Sequence, residues 1–235
     1  MTQRSLTPFV LASSWSLGGP GCAAASAISP DDGASPPVCP VLSGFSEVGT
    51  VWDYALDSAM FTGWERSQLV SLDAATGEVE IDTSGWHDGG AFTNTFERSD
   101  VYQCSDDGVR LMRWTSTVTL GTGVGDVSGT VEGVWESGIR ILESDEEMGR
   151  LAPSWWAESV GEWFDISGET HELDERVKFV VGDPEPLTLL GTTVEAIPIS
   201  YDDVPWIWVA PDIGIVKRGG LTLDSYSLGS GALME

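Results

Sequence analysis

The stretch "WIWVAPDIGIVKRGG", residues 206–220, decides how the chain is read. Successive side chains of an extended segment point to opposite faces, so Ile207 and Val209 share one face, and Trp206, Trp208 and Ala210 the other. Pro211-Asp212 break the run, and a second apolar run follows from Ile213 to Val216. The stretch is a β-hairpin. Lys217, one of only two lysines in the chain, and Arg218 end its return strand, where charge discourages edge-to-edge pairing of an apolar hairpin. A cationic clamp for a ligand is the alternative use of that pair.

Working outward, the same period-2 alternation recurs from about Glu47, broken by turn residues every 8–14 positions. "EVGTVWDYALD" (47–57) is one strand, and "SQLVSLDAATGEVEID" (67–82) is a hairpin about "DAATG". "AFTNTFERSDVYQC" and "VRLMRWTSTVTL" flank "SDDG", whose Asp and Gly tolerate tight turns. About a dozen such strands and no helix after the N-terminus predict an all-β antiparallel sandwich or barrel. The "LDAATG" turn resembles a propeller-blade hairpin, but a propeller repeats such a unit and this one occurs once.

Composition agrees and narrows the partners. Of 235 residues, 41% are hydrophobic, with 11 Trp and 28 Gly, which suits a turn-rich β protein. Asp and Glu number 37 against 11 Lys and Arg, a formal net charge of -26. Such a surface repels phosphate backbones and excludes nucleic acid as a partner. A calcium-rich or saline setting, or solubility after export, accounts for the acidity.

Residues 1–22 have the order of a secretory signal: Arg4, an apolar stretch from Leu6 to Leu17, then small residues ending in Cys22. The terminal Cys makes this a lipoprotein-type signal, with Cys22 as the lipidated first residue of the mature chain. An ordinary cleaved signal is the alternative. Residues 23–44, small, Pro-rich and acidic, form a flexible tether. The β domain spans 45–228 and a C-terminal tail 229–235. The expected location is therefore the bacterial cell envelope, at the end of a lipid anchor. Removing Cys22 leaves Cys39 and Cys104, which an oxidising compartment would join as a disulfide.

The opening hairpin resembles the terminal motif of exported bacterial domains of unknown function, the TapB-like or lipoprotein-carrier-like domains, in which an aromatic strand runs into "APGVGLVK". "LGTTVEAIPIS" (190–200) is similar to a second family strand through Gly191, Thr192 and Ala196. "YQCSDDGVRLM" (102–112) is similar to a third through Tyr102, Cys104, Gly108 and Val109, and "SVGEWF" (159–164) echoes a fourth. The chain departs from the pattern at Asp212 and Pro198. The resemblance covers residues 45–228 and implies one antiparallel curved sheet, a half barrel akin to the Lol lipoprotein carriers, with an apolar concave face and no catalytic residues.

Catalytic patterns are weak. His87 in "GWHDGG" and His171 in "GETHEL" belong to no metalloprotease motif, and Ser128 lacks the nucleophile-elbow spacing. "GTGVG" (121–125) is followed by no helix pattern and no lysine, and "ESDEEMG" (143–149) lacks EF-hand spacing. No cofactor or metal site is expected. Glu158 and Glu162 beside Trp155, Trp156 and Trp163 are the material for an alternative, an envelope hydrolase or carbohydrate-acting protein. "WIWVA", "LTLL" and "KFVV" are apolar on both faces, so something covers their second face. The expected arrangement is a groove lined by Trp155, Trp156, Trp206 and Trp208, lidded by residues 143–157, that holds a lipid or another apolar partner without turning it over.

Overall fold

The computed structural model describes residues 47–122, 125–145, 150–165, 167–201, 204–210, 213–229 and 233–234. The expected signal, the tether, Cys22 and Cys39 lie outside them. Among the described residues every regular element is a β-strand: β1 (Val51–Asp57), β2 (Thr62–Asp73), β3 (Glu78–Asp88), β4 (Phe92–Ser105), β5 (Gly108–Thr122), β6 (Gly125–Asp145), β7 (Arg150–Leu151), β8 (Ser154–Phe164), β9 (Thr170–Val181), β10 (Glu185–Leu189), β11 (Thr192–Tyr201), β12 (Val204–Ala210), β13 (Gly214–Arg218), β14 (Leu221–Ser227) and β15 (Leu233–Met234).

Neighbours in sequence pair antiparallel in the order β1-β2-β3-β4-β5-β6-β8-β9-β11-β12-β13-β14, and β14 returns to pair with β1 over Val51↔Ser227 to Leu56↔Leu221. Twelve strands thus close into a barrel. β7, β10 and β15 are short additions to β6, β11 and β14. The all-β antiparallel expectation holds; the open half barrel and the alternative sandwich do not, because the β1–β14 ladder joins the two ends of the sheet. Closure satisfies the backbone groups that two open edges would expose.

Alternation places each residue. The row Trp52, Ser67, Thr83, Arg98, Ser116 runs across β1 to β5, and all five are buried. One position along, the row Gln68, Asp82, Ser99, Thr115, Glu132 faces outward. The apolar part of the lumen is one cluster that includes Leu69, Val79, Ile81, Tyr102, Leu111, Ile139, Ile199 and Val209. The polar and charged side chains of the outward row, Asp82 and Glu132 among them, suit contact with water rather than with lipid chains. Among the described residues no helix is long and apolar enough to cross a membrane.

Irregularities bend the wall. β5 and β6 lose register between Leu111 and Arg113, opposite a bulge that ends at Gly138, whose φ of 71° favours a residue without a Cβ. Two local expectations are corrected. Lys217 and Arg218 guard no edge, because β13 has β12 on one side and β14 on the other. The described part of residues 143–157 forms no lid: β6 continues to Asp145, and β8 begins at Ser154 as a wall strand paired with β9.

Candidate functional site

The barrel lumen carries charge that the sequence reading did not assign. Glu65 (β2), His87 (β3), Arg98 and Asp100 (β4) and Arg218 (β13) point inward, none more than 8% exposed. Arg218 donates to Glu65 Oε2 through Nη2, and His87 Nε2 lies 3.0 Å from Glu65 Oε1. Arg98 donates through Nε to Asp100 Oδ1 at 2.7 Å. The guanidinium of Arg218 also covers the Tyr54 ring at 4.8 Å, and that of Arg98 covers Trp114 at 5.0 Å.

The two buried carboxylates respond oppositely. Burial pushes Glu65 up, but Arg218, His87 and Arg98 outweigh it and hold the carboxyl below its ordinary value. Burial dominates at Asp100 and raises it despite Arg98. The hydroxyls of Tyr54 and Tyr102 are pushed up by burial as well, which keeps them protonated. A charged group in a low-dielectric lumen is tolerable only when paired and hydrogen-bonded, and here the pairs serve each other. The carboxylate that would orient His87 as a base is held by Arg218, and the nearby hydroxyls of Ser67 and Thr83 are bonded together at 2.9 Å. The network is a polar keystone of the barrel.

The second assembly is aromatic and lies where β11 ends. Trp155 (β8) stacks on Phe179 (β9) with ring centres 5.2 Å apart. Phe179 touches Trp206 at 5.8 Å and Tyr201 at 5.9 Å, and Tyr201 and Trp206 lie 6.0 Å apart. The cluster grades from inside to outside: Trp155 is 3% exposed, Tyr201 38%, and the adjoining Val204 64%. Trp155 Nε1 donates to the Arg140 carbonyl at 3.2 Å, which satisfies the indole in the wall.

Of the four expected groove residues, the structure therefore brings Trp155 and Trp206 into one cluster through Phe179. Trp156 faces outward, half exposed beneath Arg176 at 4.6 Å. Trp208 donates to Glu185 and carries Lys217 over its ring at 4.3 Å. Glu158 and Glu162 are exposed on the outer face of β8, on the opposite parity from Trp155 and Trp163. Cys104 is buried at the end of β4. His171 stacks on Trp163 at 4.2 Å and meets Asp165 Oδ2 at 3.2 Å.

The donor atoms of Asp165, Glu169 and His171 lie within 4.8 Å of one another, a set of metal-ligating type. A turn explains it: Asp165 Oδ1 accepts from the Ser167 hydroxyl at 2.6 Å and from the amides of Ser167 and Glu169 at 2.8 and 3.0 Å. Those bonds, the Ser167 hydroxyl foremost, hold the Asp165 carboxyl well below the usual carboxylate range. A shallow groove of about 540 Å³ crosses the outer face of β1 and β2 and includes Asp53, Trp64, Arg66 and Asp224. Arg66 and Asp53 form a bidentate pair at 2.6 and 3.0 Å within it.

Sequence reasoning missed Glu65, Arg98, Asp100 and Phe179. A signal existed: Glu65 shares parity with Ser67 and Leu69, and Asp100 shares it with Tyr102, so charge fell in phase with the apolar row. Compared with family models, curated proteins and solved structures, the chain matches none.

Proposed function

We propose that the chain is an exported, lipid-anchored, non-enzymatic binding protein that holds an apolar ligand or partner at the aromatic rim of its barrel. The observation that carries this reading is the graded cluster of Trp155, Phe179, Trp206 and Tyr201 ending in exposed Val204. Rings anchored in the core at one end and open to water at the other gain by covering apolar surface at little entropic cost. The ion pairs of the lumen add support, since Glu65, His87 and Arg218 are engaged with one another. The anchoring part rests on the order of residues 1–22 and the Cys at their end.

The test is tryptophan fluorescence titrated with palmitate below its micellar concentration. A blue shift that saturates in the wild type, and weakens at least tenfold in Trp206→Ala, is expected. No shift in the wild type, together with no lipid in the purified protein by mass spectrometry, overturns the reading.

A further inference from the structure

Among the described residues, β9 pairs with β11 only at Phe179, Val180 and Val181, because β11 ends at Tyr201. From Thr170 to Lys178, β9 is paired with β8 alone. That leaves, among the described residues, an edge of β9 in the closed barrel, as the short β6–β8 ladder, Glu132–Trp135 with Gly161–Phe164, leaves others.

The direction of its main-chain groups follows from two bonds. The Val181 amide donates to Pro153 at the β8 side, and the Gly182 amide donates to Pro198 at the β11 side. Amides alternate along a strand, and β8 and β9 pair without a register break. The N–H and C=O groups of Glu172, Asp174 and Arg176 therefore point away from β8, into the gap. The side chains along this edge form two rows. Leu173, Glu175 and Val177 are on the lumen side, and Glu172, Asp174 and Arg176 on the outer side. Glu172, Asp174, Glu175 and Arg176 are exposed, and Leu173 and Val177 half-buried.

We propose that this edge accepts an extended, cationic segment of a partner protein as an added strand. Main-chain bonds to residues 172–176 supply affinity, and side-chain rows supply selectivity, the mode by which exposed sheet edges recognise peptides. The occupant's chemistry comes from charge. Of the exposed side chains from Thr170 to Lys178, Glu172, Asp174 and Glu175 are acidic; Arg176 is already directed to Glu158 at 3.5 Å and to the Trp156 ring, and Lys178 stands at the β11 end, beyond the acidic stretch. Lys or Arg on the outer row of the added strand would face Glu172 and Asp174. Apolar residues on its inner row would continue Leu173 and Val177 toward Tyr201 and Val204. A second copy of this chain, at -26, is repelled from the same edge. The inference does not depend on an apolar ligand at the rim, since it uses main-chain groups and a different probe.

The test titrates a capped octapeptide of alternating valine and lysine, and its valine–glutamate counterpart, into the full chain. Amide resonances and hydrogen exchange are the readouts. The lysine peptide should shift and protect the amides of Glu172, Asp174 and Arg176, and the glutamate peptide should not. Asp174→Pro removes one edge amide that β8 does not use, a change an edge strand tolerates. It should weaken binding at least tenfold with an unchanged melting temperature, while Asp174→Asn, which keeps the amide, weakens it only a few-fold. Equal weakening by both variants, binding of the glutamate peptide, or unshifted β9 amides overturns the proposal. So does a dimer in solution that Asp174→Pro converts to monomer. The exchange measurement on the unaltered chain decides the matter even if Asp174→Pro does not fold.

Discussion

Arg218 and Glu65, 153 positions apart, meet inside the barrel with side chains 4% and 1% exposed. Their strands are not neighbours: β13 is separated from β2 by β14 and β1. The pair therefore spans the seam at which the sheet closes, and ties the last strands to the first.

Breaking that pair by one substitution leaves a buried charge without its partner, which costs about 3–5 kcal/mol. Arg218→Met and Glu65→Gln should each lose stability of that order in chemical denaturation. The double variant should lose less than the sum, because neither charge is then stranded. Additive losses would show that the two side chains do not interact.

Acid stability follows from the same carboxylate. Its folded value lies below the ordinary 4.5, so its contribution is complete above that pH and fades as pH falls through the folded value. Asp100, raised by burial, has the opposite sign: its contribution is present below its ordinary 3.8 and is lost as pH rises through the folded value. Thermal melts between pH 7 and pH 3 should therefore show a destabilising acid limb in the wild type that is shallower in Glu65→Gln. Parallel limbs would remove Glu65 as its source.

Gly85 makes room for the network. A Cβ there would sit 2.5 Å from the Phe96 ring and 3.1 Å from Glu65 Cγ. Gly85→Ala should cost about 1–3 kcal/mol, the usual penalty of overpacking. Adding Phe96→Leu should recover part of it. A neutral Gly85→Ala would mean that the ring moves freely.

The cysteines make separate claims. Cys22 should carry lipid, so metabolic labelling with a clickable fatty acid is expected in the wild type and lost in Cys22→Ser; equal label on both would refute the anchor. Cys39 and Cys104 should resist alkylation in material exported through an oxidising compartment. Reducing that bridge should lower stability by up to ~4 kcal/mol in the chain-entropy account. Stoichiometric free thiol at Cys104 would refute the bridge.

Strand content and sidedness were legible in the chain itself. The alternation that puts Ile207 and Val209 on one face of "WIWVA" also puts them in the core, where both are buried, because side-chain parity is a local property of an extended backbone. Parity also separates Trp155 from Trp156, although nothing local says which of the two is inside. Closure was not legible. Whether Arg218 ends an exposed edge or enters a lumen depends on whether β14 finds β1, and that is a contact between distant parts of the chain. The same holds for the aromatic rim, assembled from β8, β9, β11 and β12, and for the free edge of β9, which exists because β11 stops at Tyr201. Local sterics and hydropathy write the strands and their two faces; which strand lies beside which, and therefore which charges meet, is set only when the sheet closes.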